Sequence, residues 1–295
     1  MKKIFLILLG LVISLVLIEL TLRILGFGYK IRYKLPEETT SDYSIFCIGE
    51  SSTWGIGTDN PTRDNYPKQL EAMLGEQFPD KKIRCYFDVT IGQNTSEILF
   101  KLPGYIKKYH PNIIILMVGA NNFWNLDRGN ILVFNKNETV SQTALKTLFF
   151  LNKLRIWKLA RFIRLSPNLY KEKWDYSDKN RVKSFWDGKS YQGKLDRIAY
   201  TIAEHDISEM IKICRENQIS VILCSYPIKD ELLHEVHMKV AQKHNISLLD
   251  NHTIFKNIPD ACSYLSKDMW HPNKKGYALL AKNIYLYLIK NELIK

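Results

Sequence analysis

Four short stretches of this chain hold the residue types of an acyl-transfer site. "GESSTWG", residues 49–55, carries Ser51 directly after an apolar run, and "DMWH", residues 268–271, sets an acid and a histidine three residues apart. Gly92 in "IGQN" and Asn121 in "GANN" supply amide groups. A serine hydroxyl attacks a carbonyl only when a base takes its proton, and that base needs a carboxylate to hold it in the right tautomer. His271 and Asp268 can meet on a single turn of chain. The developing oxyanion then needs fixed donors, and the candidates are the backbone amides of Ser51 and Gly92 with the side-chain amide of Asn121. Glycine at 92 lets the backbone approach a substrate with no side chain in the way.

The elements that must position these groups alternate. "YSIFCIG", "KIRCYFDVT", "NIIILMVG", "SVILCSYP" and "ISLLD" read as five strands. Between and after them come helical patterns: "YPKQLEAMLGEQF", "TSEILFKLPGYIKKY" with a kink expected at Pro103 and Gly104, "AYTIAEHDISEMIKICRENQ", "DELLHEVHMKVAQKHN" and a last helix over about 273–293. This rhythm predicts an α/β fold: a three-layer α/β/α sandwich around a five-stranded parallel, doubly wound, flavodoxin-like sheet. Sites in such sheets gather at the carboxyl ends of the strands, where Ser51, Gly92 and Asn121 fall.

Taken in order, the blocks resemble those of the SGNH, or GDSL-type, hydrolase family. Gly49-Glu50-Ser51-Ser52-Thr53-Trp54-Gly55 is similar to G-D-S-x-x-x-G, Gly92 to the second-block glycine, Gly119-Ala120-Asn121-Asn122 to G-x-N-D, and Asp268-Met269-Trp270-His271 to D-x-x-H. The resemblance runs from about residue 43 to 290. It implies Ser51 as nucleophile, His271 as base, Asp268 as the residue orienting it, and Gly92 and Asn121 as oxyanion donors. Glu50 and Asn122 depart from the pattern, each standing where the family usually has Asp. The G-x-S-x-G elbow of α/β-hydrolases would need glycine at 53, where this chain has Thr53.

Plainer readings compete for several of these residues. Ser51 or Ser52 could cap a helix, and Asn121 could be a turn residue. Asp250 and His252 form a rival acid–histidine pair, but two-residue spacing at a strand end points their side chains apart. His110, His205, His234, His237 and His244 are assigned no role. Trp54, Trp124 and Trp270, beside the blocks, fit a cleft or the core equally well.

The first 28 residues, "MKKIFLILLGLVISLVLIELTLRILGFG", place one charge, Glu19, among the 17 residues from 4 to 20. This reads as an uncleaved single-pass anchor rather than a core helix or a signal peptide, with a short basic leader that favours a catalytic domain outside the cytoplasm. A linker over 29–42 and a domain over 43–295 follow. The domain is interrupted by a helical insert over 123–198, in which Leu145, Leu148, Phe149, Ile156, Leu159 and Ile163 share one helical face. Residues 146–197 hold fourteen Lys and Arg against five Asp and Glu, nine of the net twelve positive charges of the 295-residue chain. The insert is therefore expected to be a lid or docking element facing the membrane or an acylated glycan or lipid, and nucleic acid is not an expected partner.

Five cysteines, odd in number and without a C-x-x-C pair, predict neither a disulfide framework nor a zinc site, and no metal or cofactor is expected. Sequons at Asn94, Asn137, Asn245 and Asn251 read as chance. The expected activity is that of a serine esterase removing an acyl group, such as an O-acetyl from a cell-surface glycan. The alternatives are an O-acyltransferase using the same triad and a non-catalytic protein that binds glycan or membrane.

Overall fold

The computed structural model describes residues 2–32, 41–122, 151, 154–160, 163, 194–227 and 230–294. The chain packs as two units, one of Met1–Glu37 and Asp127–Trp174, the other of Glu38–Leu126 and Asp175–Lys295.

In the larger unit, strands β1 (Tyr43–Gly49), β2 (Ile83–Tyr86), β3 (Ile113–Met117), β4 (Ser220–Cys224) and β5 (Ser247–Leu249) form one sheet in the order β2-β1-β3-β4-β5. Every pairing is parallel, with Ile45 opposite Ile113 and Gly49 opposite Met117 at the centre. This is the doubly wound order expected. Strand residues that alternate by two face opposite layers. Phe46, Ile48, Ile114 and Leu116 join Ile98, Leu102, Ile207, Met210 and Val240 in one buried core, beneath the helices that follow β2, β3 and β4.

The helices of this unit are α2 (Ser51–Trp54), α3 (Pro61–Asp64), α4 (Tyr66–Gln77), α5 (Thr95–Tyr109), α6 (Lys194–Glu216), α7 (Glu231–His244), α8 (Asn251–Lys256) and α9 (Lys274–Lys290). For this numbering α1 is the N-terminal helix, Lys2–Arg32. Helices α5, α6 and α7 pack side by side, and α4 packs on α9.

Two boundaries, the end of β2 and the start of α6, differ from the sequence reading. β2 ends at Tyr86 instead of near 90, because Phe46 opposite Tyr86 is the last rung of its ladder with β1. α5 spans the stretch read from the sequence, with Pro103 inside it on the exposed side. α6 begins at Lys194, inside the segment read as insert. Residues 123–150 and 164–193 of that insert lie outside the described residues, and with them Leu145, Leu148, Phe149 and Trp124.

In the smaller unit, α1 contains a span, Lys2–Phe27, long and apolar enough to cross a membrane, about 39 Å at 1.5 Å per residue. It is compatible with an anchor or a signal sequence. Its one acidic residue is satisfied from two directions. Arg23 bonds Glu19 Oε1 at 2.7 Å from the next turn, and Oε2 accepts the backbone N–H of Ile156 at 2.9 Å. Arg155 donates to the carbonyl of Leu22 at 3.0 Å. Residues 155–160, a helical stretch of the insert, therefore sit against the end of the apolar span.

Candidate active site

The first strand delivers Ser51 through a tight turn. β1 ends at Gly49, where an added Cβ would lie 2.8 Å from Met117 O and closer still to the Thr53 hydroxyl, so only glycine fits. Glu50 occupies the cap position of α2 and makes no side-chain cap bond. Ser51 opens the helix, and its Oγ lies 2.7 Å from His271 Nε2. The cap reading of Ser51 does not describe what its side chain does.

His271 is held by a closed loop. Leu265 pairs with Pro272 in an antiparallel bridge, and Ser266 N donates to His271 O at 2.7 Å. Inside it, Asp268 Oδ1 accepts from the Ser266 hydroxyl at 2.7 Å and from the amides of Trp270 and His271 at 2.9 Å, while Oδ2 faces His271 Nδ1 at 2.6 Å. Burial would raise the Asp268 pKa. The hydrogen bond and charge of His271, its backbone amide and the Ser266 hydroxyl outweigh that and hold the carboxyl well below the usual carboxylate range. An ionised Asp268 can only accept, so Nδ1 carries a proton, and Nε2, whenever it carries none, accepts from the Ser51 hydroxyl.

The serine and histidine loops are locked together from the C-terminal side. Asn273 caps α9, accepting from Gly276 N at 3.0 Å, and Tyr277 on that helix donates to Ile56 O at 2.7 Å. Gly57, at φ 97°, lies where a Cβ would come within 2.7 Å of Pro272 O.

The second and third blocks meet the first. Gln93 Nε2 donates to Gly49 O at 2.9 Å, and Asn121 Nδ2 donates to Gln93 O at 3.2 Å, which ties Gly92, at φ 76°, and Asn121 to the end of β1. Asn122 accepts from Thr95 N at 2.9 Å and donates to Thr95 Oγ1 at 2.8 Å and Ala199 O at 3.3 Å. The Thr95 and Ser96 hydroxyls in turn donate to Asp206, each at 2.7 Å.

Glu50 is buried beneath this loop. Its Oε1 accepts from Gly119 N at 2.9 Å, and its Oε2 contacts the hydroxyl of Tyr226. Burial pushes its carboxyl up to about 7, against hydrogen bonds from Tyr226 and from the amides of Gly119, Asn121 and Ala120. Glutamate in place of the family's aspartate thus reaches the loop that carries Asn121.

Residues 45–284 match the model of the GDSL-like lipase/acylhydrolase domain. The chain belongs to the GDSL-like lipase/acylhydrolase family. It is accordingly an ester-bond hydrolase, an esterase or acylhydrolase by family. Two solved structures share the fold. A lipase/acylhydrolase from Enterococcus faecalis is 13% identical with a TM-score of 0.51, over 84% of this chain and 96% of that one. A protein described as a GDSL-like lipase from Parabacteroides merdae is 13% identical with a TM-score of 0.52, over 87% and 99%. No curated protein matches the sequence.

Within this GDSL-like domain the structure brings Ser51, His271 and Asp268 into one hydrogen-bonded chain, and gathers Gly92 and Asn121 at the same end of the sheet. Tyr226 was missed by the sequence reading, although its place two residues past the end of β4 marks it as a strand-end residue. The rival pair, Asp250 and His252, turns to α7: Asp250 Oδ1 lies 2.9 Å from His234 Nε2, and His252 Nε2 lies 3.3 Å from Glu231. Among the sequons, Asn94 is buried as the cap of α5, Asn251 is fully buried, and Asn245 ends α7 at φ 46°. Trp54 packs edge-on to Phe87 with ring centroids 6.1 Å apart. Cys47, Cys85, Cys214 and Cys224 are buried free thiols.

Proposed function

We propose that this chain is a membrane-anchored serine esterase that removes an acyl group, an O-acetyl in the first instance, from a cell-surface glycan. The observation that carries the reading is the unbroken chain Ser51–His271–Asp268, at 2.7 and 2.6 Å. In this reading the Ser51 hydroxyl passes its proton to His271 Nε2 as Oγ bonds to the ester carbonyl carbon. The amides of Ser51, Gly92 and Asn121 hold the oxyanion, and the leaving alcohol takes the proton from His271 as its bond to carbon breaks. Water, deprotonated by the same ring, then releases the acid from Ser51. Asp268 keeps the ring in the tautomer that each step needs.

The glycan assignment rests on location and charge. An apolar helix of membrane-spanning length precedes the domain, and the insert concentrates positive charge, a composition suited to acidic or acylated polymers near a membrane. The catalytic domain then lies outside the cytoplasm. A periplasmic or extracellular reporter fused after Lys34 is expected to be active, and a reporter active only in the cytoplasm would reverse that topology.

The chemistry is tested by labelling the detergent-solubilised chain with a fluorophosphonate and then following nitrophenyl esters of increasing chain length, with and without oligosaccharide acceptors. Labelling is expected at Ser51, with fastest turnover on acetyl esters and acyl groups delivered to water. Labelling that survives Ser51→Ala would remove the mechanism. Acyl groups recovered on the oligosaccharide would make the same site a transferase.

A further inference from the structure

We propose that Glu231, His234 and His252, with Asp250 beside His234, form a binding site for a divalent transition-metal ion of the zinc type, separate from the serine site. Glu231 and His234 stand three residues apart on the first turns of α7, so their side chains share one face. Asp250 and His252 follow β5 and begin α8. The two imidazole rings stack with centroids 4.4 Å apart and 19° between planes. Ligand atoms of Glu231, His234 and His252 lie within 4.8 Å of one another, and Asp250 Oδ1 lies 2.9 Å from His234 Nε2.

The state of the histidines points to a shared cation. His234 is 9% exposed, and its Nε2 meets Asp250 without the alignment of a hydrogen bond and finds no other partner among the described residues. His252 is 2% exposed, with Nε2 3.3 Å from Glu231 Oε2. Two buried rings thus turn the same nitrogen toward two carboxylates. A metal ion placed among them would take lone pairs from both rings and from Glu231 at once.

The donor set selects the ion. Two imidazole nitrogens and a carboxylate oxygen suit tetrahedral Zn²⁺ and its neighbours in the first transition row, whereas Ca²⁺ and Mg²⁺ take six or more oxygens. The supports of a ligand shell are in place. Asp250 is fixed by the Ser225 hydroxyl at 3.2 Å and by Thr253 N at 3.1 Å and Thr253 Oγ1 at 2.6 Å, and His252 N donates to Ser225 Oγ at 2.9 Å. The carboxylates are the exposed half, 38% for Glu231 and 35% for Asp250, so an ion enters from solvent on their side. Lys256 lies 3.4 Å from Glu231 Oε1, which leaves Oε2 for the ion. This departs from the sequence reading, which expected no zinc site and no metal; that expectation rested on the cysteines, and none of them belongs to this donor set.

Glu231 and His234 come from α7 and His252 from α8, so the ion clips the start of α7 to the segment after β5, with Asp250 against His234 beside it. His237, one turn beyond His234, donates Nε2–H to Val118 O at 3.0 Å, directly before Gly119. The clipped helix is therefore the one that abuts the third block.

The test uses the full chain, tag-free, in detergent, stripped with a chelator and titrated with Co²⁺. One Co²⁺ per chain is expected, with the visible absorption of tetrahedral coordination, displaced by Zn²⁺, and Zn²⁺ is expected to raise the unfolding temperature. Glu231→Gln, at an exposed position, is expected to keep the fold and weaken binding at least tenfold, and His252→Gln to abolish it. Absence of stoichiometric binding by the wild type, or unchanged affinity in Glu231→Gln, would overturn the proposal.

Discussion

Glu50 and Tyr226, at the ends of strands on either side of β3, share one buried contact, and the Tyr226 hydroxyl also lies 2.8 Å from Met117 O. The phenol has one hydrogen for two acceptors. Both contacts are satisfied together only when Glu50 is protonated and donates to the phenol oxygen, which donates onward to Met117.

A pH dependence of stability follows. Because burial raises the Glu50 pKa from 4.5 to about 7, the folded chain binds a proton that the unfolded chain releases between those values. The contribution of Glu50 to stability is therefore fully present below pH 4.5 and is lost as pH rises to about 7, a change of roughly 3 kcal/mol. Glu50→Gln, whose amide accepts from Gly119 and donates to Tyr226, is expected to flatten this slope. Chemical denaturation of wild type and variant from pH 5 to pH 8 measures it, and parallel curves would assign the slope to another group.

Ser51→Ala is expected to lower ester turnover by about 10⁴-fold or more while leaving the unfolding midpoint within error, since it removes one hydroxyl from a partly open site. Asp268→Asn should cost a similar factor by allowing the wrong tautomer of His271. Wild-type turnover in purified Ser51→Ala would remove the serine from the reaction.

Restoring the family's usual aspartate at position 122 is expected to harm this chain. The Asn122 amide donates to Thr95 Oγ1 and Ala199 O, and the Thr95 hydroxyl already donates to Asp206. Asn122→Asp would set a carboxylate against two acceptors, with a second carboxylate behind Thr95, and destabilise by about 1–3 kcal/mol. An unfolding midpoint equal to that of the wild type would show that the network rearranges without loss.

Gly57→Ala probes the join between the two catalytic loops. The new methyl would meet Pro272 O at a backbone conformation that side chains rarely adopt, so the His271 loop must shift. Turnover is expected to fall on the order of 10²-fold, far more than stability does. Loss of stability without selective loss of turnover would assign Gly57 to folding alone.

The sheet was legible at its centre because β3 is a continuous apolar run of the kind that a sheet buried on both faces takes up. Four of the site blocks were legible because each lies at a strand end or a loop of fixed spacing. What escaped was carried by side chains that meet across strands. Glu50 with Tyr226 are 176 residues apart, and Asn122 with Ala199 are 77 apart, on opposite sides of the insert. No local period encodes such meetings. His234 was set aside for the same reason: its partner Asp250 lies beyond β5, and two-residue spacing at Asp250 and His252 gave no sign that both would turn toward another helix.

The Ser51–His271 contact spans 220 residues, and the first strand is tied at Tyr43 to Leu293 O at 2.6 Å. During synthesis, the serine emerges early and stays without its base until the last helix has been made and has docked. A chain stopped after α8 carries three of the four blocks and no imidazole beside Ser51. Incomplete nascent molecules are therefore expected to be silent toward esters, with acyl chemistry switching on only with completion of the domain.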